Sequence, residues 1–230
     1  MTWNTILSLT CIVSLLFPVA VILINRYYTH KSLAALLVSY SLTVFDNLMG
    51  EKIITVSTSF ETNFRILFNY IDVPLMLVAL LYFCPTKKKQ RLVQIVMAAL
   101  IVYEIVITCI YGFGKTSIIY IMGPALAILL IYTLVLFARQ VKFTIKRRIN
   151  QGRTVMLAAI LFSYACYSLI YYFHYIQQTK FFSDVLFLYF ISTSVGAILM
   201  AVGLHLMRNR MKELKSVTVT RKELALFFGH

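Results

Sequence analysis

Long apolar stretches, separated by short polar segments, set the pattern of this sequence. Each stretch is long enough to cross the hydrocarbon core of a bilayer, which is about 30 Å thick and takes about 20 helical residues. The pattern therefore predicts an all-α fold, a polytopic membrane protein in which seven transmembrane helices form a bundle. The predicted spans are residues 5–25, 32–50, 63–84, 92–111, 116–137, 154–175 and 181–207.

Composition and length limit the number of domains that the chain can contain. The chain has 230 residues, of which 60% are hydrophobic and 13% charged, a balance typical of polytopic membrane proteins. Because seven spans use most of this length, no room is left for a soluble catalytic domain. We predict a transmembrane domain at residues 1–207 and a basic cytoplasmic tail at residues 208–230. A capping-box pattern from Thr220 to Glu223 predicts a short interfacial helix in the tail; a solvated, frayed tail is the alternative.

The distribution of basic residues predicts the orientation. Counted by alternate sides of the seven spans, 18 Lys and Arg residues lie on one side and 4 on the other. Since cytoplasmic loops carry the excess of Lys and Arg, we expect the amino terminus outside and the carboxyl terminus in the cytoplasm. The expected location is the plasma (inner) membrane of a bacterium, as an integral protein.

The positions of the same basic residues also indicate which partners the protein binds. A net charge of +14 does not indicate nucleic acid here, because the basic residues lie in short loops between apolar spans. The expected partners are membrane lipids and a small ligand or cation from the outer side. A cytoplasmic partner docked on the basic loop between Arg139 and Arg153, or on the tail, is the alternative to simple membrane-surface charge, which we prefer for both segments.

Three acidic residues are predicted to lie deep inside their spans. With a rise of about 1.5 Å per helical residue, Asp46, Asp72 and Glu104 are each expected about 10 Å inside the outer boundary. An acid at mid-membrane costs about 2.5 to 3.5 kcal/mol on insertion scales. No Lys or Arg lies deep in any predicted span to offset that cost. We therefore expect these carboxyls to be protonated, hydrated or matched by a cation.

Four predicted helices have a polar face that should lie inside the bundle or against water. In span 3 this face holds Arg65, Asn69 and Asp72. The faces of spans 2, 4 and 6 hold Ser39, Thr43 and Asp46; Glu104, Thr108 and Tyr111; and Tyr164, Tyr167, Tyr171 and His174. The candidate ligand or ion pocket consists of Asp46, Asn69, Tyr70, Asp72, Glu104, Tyr120, Tyr164, Tyr167, Tyr171 and His174. Three separate helix-to-helix hydrogen bonds are the alternative.

Two prolines add free backbone acceptors at this level. Pro74 and Pro124 lack an N–H donor, so each frees the carbonyl four residues earlier, at Tyr70 and Tyr120 respectively. Broken helices of this kind line the binding sites of transporters. An ordinary proline kink in a membrane helix is the alternative, and we prefer it.

The leading functional hypothesis is a receptor-like, non-enzymatic protein that binds a small cationic or amphipathic ligand from the outer side. A proton- or cation-coupled transporter using the same acids is the alternative. The apolar run at residues 75–81, below Asp72, favours a dead-end pocket over a through path. An intramembrane enzyme acting on lipid comes third, because the sequence offers acid pairs but no nucleophile or metal set. Only His174 and His205 lie in spans, at opposite ends of their helices, and the four cysteines predict no disulfide.

Two segments weakly resemble microbial rhodopsins. The segment from Asn69 to Val73 keeps the Tyr and Asp of that family's third-helix motif Arg-Tyr-x-Asp-Trp, and the tyrosines of span 6 match the aromatic spacing of its sixth helix. The resemblance implies a rhodopsin-like seven-helix fold with a counter-ion region at Asp72. No lysine occurs between Lys180 and Arg208, and Leu199 takes the retinal-linking position. We therefore expect no covalent retinal, and no other cofactor is predicted.

Overall fold

The computed structural model describes residues 3–147, 151–177 and 182–228, with side chains up to Arg208 except for a few near the segment ends. Every regular element in these ranges is helical. In chain order the α-helices are α1 (Trp3–Ile24), α2 (Lys31–Gly50), α3 (Thr58–Leu80), α4 (Lys87–Tyr111), α5 (Lys115–Arg147), α6 (Gln151–Tyr171) and α7 (Phe182–Phe228). A 3-10 turn follows α1 and another follows α3, and a π-helical turn, Tyr172–Ile176, follows α6.

The prediction of seven spans is confirmed for the described part of the chain, in which seven helices are long and apolar enough to cross a membrane. Their outward faces carry large apolar side chains. Val102 and Ile105 on α4 and Ile131 on α5 are each more than half exposed. An apolar outer surface of this kind matches hydrocarbon rather than water, as an integral membrane protein requires.

Several helices are longer than the spans predicted from hydropathy. The hydroxyl of Ser57 accepts a hydrogen bond from the Phe60 N–H, so α3 begins at Thr58, before the predicted residue 63. At their other ends, α5 and α7 continue past residues 137 and 207. Residues 208–228, predicted as a tail with its own short helix, therefore continue α7. Hydropathy marks only the apolar part of a helix, which is why these polar extensions were not predicted.

Parts of three predictions lie outside the described residues. They are residue 181 at the start of the seventh span, Lys180 in the count of basic residues, and positions 148–150 of the basic loop.

The helices form a closed ring. Each helix packs against its neighbours in sequence, and α7 packs against α1. A further contact joins α3 to α5, so α4 lies at the periphery. We call the side at which α1, α3, α5 and α7 begin the amino-terminal side, and the opposite side the carboxyl-terminal side.

The closest helix contact in the ring joins α6 to α7 through glycines. A Cβ built on Gly152 would lie 2.6 Å from the carbonyl oxygen of Gly203, and one on Gly203 would lie 2.9 Å from that of Gly152. A Cβ on Gly196 would overlap the hydroxyl of Ser163. Glycine at these positions lets the two backbones approach each other, which is a common device for helix association in membranes.

Cysteine labelling tests the predicted orientation. Thr55 lies in the exposed α2–α3 loop on the amino-terminal side, and Lys88 is exposed in the first turn of α4 on the opposite side. With Cys109 and Cys166 replaced by Ser, a membrane-impermeant maleimide added to intact cells should label the Thr55→Cys variant and not the Lys88→Cys variant. Labelling of Lys88→Cys alone would reverse the orientation inferred from the basic residues.

Candidate functional site

A cavity of about 240 Å³ lies inside the bundle. All helices except α4 contribute side chains to its lining. Its aromatic lining includes Phe68 and six tyrosines, Tyr40, Tyr164, Tyr167, Tyr171, Tyr175 and Tyr189, and its polar lining includes Ser39, Thr43, Asn69, Asp72, Ser163, His174 and Thr193. A space of this size holds several water molecules or a small organic molecule.

Asp72 is the one acidic residue among the described residues of this lining. Its Oδ1 accepts a hydrogen bond from the hydroxyl of Ser39 at 3.0 Å, and its Oδ2 accepts one from the hydroxyl of Tyr164 at 2.7 Å. Each oxygen of a carboxylate can accept more than one such bond, so acceptor capacity is left on both. The described lining residues include no Lys or Arg, and the described ion pairs do not involve Asp72. Neutral donors from α2 and α6 therefore hold this carboxyl at the cavity wall.

The tyrosines form a connected aromatic wall. The rings of Tyr164 and Tyr167 meet edge to face at 5.4 Å between centroids, and those of Tyr167 and Tyr189 stack at 6.0 Å. The Tyr167 hydroxyl lies 2.9 Å from that of Thr193, and the Asn47 amide donates to the Tyr189 hydroxyl at 3.0 Å. Because side-chain hydrogen bonds fix these hydroxyls, the orientation of the rings is set by the fold.

The end of the cavity toward the carboxyl-terminal side is apolar. Met76 lies one helical turn beyond Asp72 on α3, and Ile160 lies one turn before Tyr164 on α6. Past these residues the bundle is filled by side chains with no exposed surface, which are Leu77, Leu80, Leu129, Met156, Leu157, Met200 and Leu204. In the described part of the chain this packing closes the cavity on that side.

The structure separates the predicted site residues into two groups. Asn69, Asp72, Tyr164, Tyr167, Tyr171 and His174 line the cavity, whereas Asp46, Tyr70, Glu104 and Tyr120 do not. The prediction that Asp46, Asp72 and Glu104 share one cavity is therefore wrong. Asp72 alone of the three reaches it.

Asp46 lies instead between α2 and α3, where it is paired with a basic residue. Its Oδ1 lies 3.2 Å from Nε of Arg65, and Arg65 also contacts Glu61 at 2.9 Å. The expectation that no basic residue offsets the acids does not hold for Asp46. Arg65 was counted as a residue of the outer boundary, but its long side chain reaches along α3 to the acid.

Glu104 and Tyr70 belong to a second polar group, at the contact of α3, α4 and α5. Thr108 lies between them, with its hydroxyl 2.7 Å from the Glu104 carbonyl oxygen and 3.0 Å from the Tyr70 hydroxyl. The Tyr70 hydroxyl donates to Ser117 at 2.8 Å. Glu104 itself is buried, and its Oε1 has no hydrogen-bond partner among the described residues. The packing of α4 at the periphery keeps this group apart from the cavity.

Tyr120 contributes through its backbone rather than its ring. The ring is half exposed and stacks on Tyr111, but the carbonyl freed by Pro124 accepts a hydrogen bond from the hydroxyl of Tyr103 at 3.1 Å. On the other face of α5, the hydroxyl of Tyr171 donates to the carbonyl of Ile119. Tyrosines from α4 and α6 thus satisfy two carbonyls of α5 at the level where proline interrupts its bonding.

The Tyr103 bond gives a measurable expectation. Tyr103→Phe removes the donor to the Tyr120 carbonyl, which in a membrane interior should destabilise the protein by about 0.6 to 1.5 kcal/mol. Thermal unfolding in detergent would measure the loss. Tyr111→Phe, which changes an exposed tyrosine on the same helix, is the matched control and should leave stability unchanged. Equal stability of the two variants would show that the carbonyl bond contributes nothing.

Several lining residues were not predicted, although the sequence contained partial signals. Ser39 and Thr43 were assigned to the polar face of span 2, but that face was extended to Asp46, whereas the structure extends it to Asn47. Tyr189 and Thr193 are spaced four residues apart on α7, which places them on one face, but neither is charged and the spacing alone did not distinguish them from core. Tyr40 is likewise uncharged and was not predicted.

Comparisons with known proteins add no identification. No protein-family model matches the chain, and neither a curated protein nor a solved structure gives a significant match. Among the described residues, no group of three or more His, Cys, Asp or Glu side chains could hold a metal ion.

Proposed function

We propose that this protein binds a small organic cation with an apolar part, of the quaternary ammonium type, in the cavity beside Asp72. The observation that carries the proposal is a carboxyl group that neutral donors hold at the wall of a tyrosine-lined cavity, with no Lys or Arg among its described lining residues and no described ion pair to it. A cation entering the cavity would supply the missing positive charge.

The aromatic lining favours the same class of ligand. Tyrosine rings attract cations through their faces when the cation lies within about 6 Å of the ring centroid, and sites for quaternary ammonium groups use several such rings together. Tyr164 combines both contributions, because it lines the cavity and its hydroxyl holds the carboxyl of Asp72. The apolar end formed by Met76 and Ile160 would accept the uncharged part of an amphipathic ligand.

Binding is favoured over transport by the packing beyond the cavity. The fully buried apolar residues on its carboxyl-terminal side offer no polar step for a cation in the described part of the chain. Transport coupled to protons or cations is the second candidate. Glu104 favours it, because its carboxyl is buried, its Oε1 has no partner among the described residues, and such groups take part in ion pathways.

Two measurements on the purified protein distinguish these functions. Isothermal titration with choline, compared with the neutral isostere 3,3-dimethylbutan-1-ol, tests whether binding depends on positive charge. Liposomes that contain the protein and a pH probe, with choline on one side, test for flux. Choline binding without flux supports the binding function, whereas Asp72-dependent flux of protons or choline would replace it with transport. Equal affinity for the two compounds would reject a cation site.

The proposed fold is a rhodopsin-like bundle without chromophore, in which Asp72 stands where the resemblance implies a counter-ion. Because the membrane-spanning part of α7, Val185–Arg208, has Leu199 at the retinal-linking position and contains no lysine, purified protein incubated with retinal should develop no visible absorption band sensitive to hydroxylamine. Such a band would show that a retinal Schiff base forms and would contradict the proposed organic-cation pocket.

A further inference from the structure

A third group of polar side chains lies at the carboxyl-terminal side, far along the helices from Asp72. Tyr82, just after α3, is its centre. The guanidinium of Arg153 donates from Nη2 to the Tyr82 carbonyl oxygen at 2.7 Å and lies 4.6 Å above the Tyr82 ring. The Tyr82 hydroxyl contacts the sulfur of Met207 at 3.5 Å. The end of α3, the start of α6 and the middle of α7 therefore meet at this tyrosine.

Two arginines adjoin this meeting point, since Arg153 contacts Tyr82 directly and Arg208 follows Met207. The close approach of Gly152 to Met207 brings Arg153 and Arg208, the next residues of each helix, to the same end of the α6–α7 contact. The Nε atoms of both arginines are buried and have no hydrogen-bond partner among the described residues. Neither arginine takes part in a described ion pair.

Tyr27 adds a third unpartnered donor. This residue lies in the turn between α1 and α2, is 5% exposed, and its hydroxyl has no partner among the described residues. Burial and the neighbouring Tyr82 raise the pKa of Tyr27, while the charge of Arg208 lowers it. The hydroxyl is therefore within the electrostatic reach of both Tyr82 and Arg208.

The charge balance of this end favours an anion. A buried carboxyl can take up a proton, but an arginine stays charged in proteins, so two arginines at one end of a helix contact repel each other. The carbonyl and ring of Tyr82 contact Arg153 but carry no negative charge. The acidic residues with described side chains all lie elsewhere, at Asp46, Glu51, Glu61, Asp72 and Glu104. No carboxyl of the described residues is placed to pair with Arg153 or Arg208.

We propose that Arg153, Arg208 and Tyr27 form a binding site for a phosphate group. The planar guanidinium group matches the oxygens of phosphate with paired N–H donors, and a tyrosine hydroxyl supplies a further donor. The phosphate can come from an anionic phospholipid headgroup or from a soluble phosphate compound. Both sources reach the site, because it lies at the end of the helices rather than within the apolar core.

Binding of phosphatidylglycerol, phosphatidylcholine and inorganic phosphate to delipidated protein in neutral detergent tests the site and distinguishes its source. Native mass spectrometry should show phosphatidylglycerol retained about tenfold more strongly than phosphatidylcholine if the source is a lipid headgroup. Thermal stabilisation by millimolar inorganic phosphate in lipid-free detergent indicates a soluble source. Either result supports a phosphate site, and the absence of both would overturn it.

Matched variants assign the effect to these residues. Arg153→Gln combined with Arg208→Gln should lower phosphatidylglycerol retention, or phosphate stabilisation, about tenfold. Arg91→Gln combined with Lys142→Gln removes the same charge from exposed positions on the same side and should leave binding unchanged. An equal loss in both double variants would show general surface charge and reject the site.

Tyr27→Phe removes one hydroxyl and keeps the ring. It therefore provides a second test of the site if the arginine variants unfold. In a phosphate site it should weaken binding several-fold, and stabilisation by phosphate or phosphatidylglycerol should shrink with it. If the hydroxyl has no ligand, removal of a buried unpartnered donor should instead raise the melting temperature and leave binding unchanged. That second result would contradict the proposal.

Discussion

Replacing Asp72 with Asn should reduce the affinity for choline about a hundredfold or more. At about 4 Å and an effective dielectric constant of about 20, two opposite charges attract by about 4 kcal/mol, and about 1.4 kcal/mol corresponds to tenfold in affinity. The change keeps the shape of the side chain and the acceptor for one of its two donors, Ser39 or Tyr164, so the cavity should keep its lining. Isothermal titration of choline into the two proteins measures the loss.

Asp46→Asn is the control for this variant. It removes the same charge from a neighbouring helix, but Asp46 is paired with Arg65 and does not line the cavity. Choline affinity should therefore stay within about twofold of the original. Similar losses in the Asp72→Asn and Asp46→Asn variants would point to a general field effect instead of a contact.

Binding of choline to the unchanged protein should also weaken as the pH falls, because protonation of Asp72 removes the charge that attracts the cation.

Substitution of Gly152 by Ala should destabilise the bundle by about 1 to 3 kcal/mol, the usual cost of overpacking. The added Cβ would lie 2.6 Å from the Gly203 carbonyl oxygen and 3.0 Å from the Met207 backbone nitrogen. Backbone atoms cannot rotate away as a side chain can, so α6 and α7 must separate along their contact. Thermal unfolding in detergent should show a clear drop in melting temperature.

Gly114→Ala provides the comparison. A Cβ on Gly114 would meet no atom within 4 Å, so this change adds the same methyl group without crowding. Its melting temperature should match the original protein. If Gly152→Ala is equally stable, the close approach of α6 and α7 is not what holds that part of the ring together.

The fold was largely predictable because the bilayer imposes one simple rule on sequence. Seven apolar stretches of membrane-crossing length gave seven helices. In hydrocarbon only an α-helix or a closed β-barrel satisfies every backbone hydrogen bond. The ends were less predictable. Capping by Ser57 and the polar continuation of α5 to Arg147 depend on local hydrogen bonds and on packing outside the apolar core, to which hydropathy is insensitive.

The site was predicted in part, because depth along a helix can be estimated from sequence but direction around it cannot. Asp46 and Asn47 are both consistent with the polar face begun by Ser39, and only packing selects Asn47 as the inward residue. Glu104 lies at a depth similar to that predicted for Asp72, but its helix is excluded from the cavity by the α3–α5 contact. Helix order around the ring is a tertiary property that polar spacing within single helices does not contain.

The interrupted helix α5 runs from the cavity wall to the opposite end of the bundle. Tyr171 lines the cavity and also donates to the Ile119 carbonyl, so a ligand that displaces this tyrosine also removes a restraint on α5 one turn before Pro124. From Pro124 to Arg147 the helix is about 35 Å long, at about 1.5 Å per residue. A change of about 10° in the bend at the proline, the usual place for a helix to kink, would therefore carry the basic end of α5 through about 6 Å. A small change of the bend at Pro124, near the tyrosines of the cavity, would therefore become a large displacement at the basic end of α5.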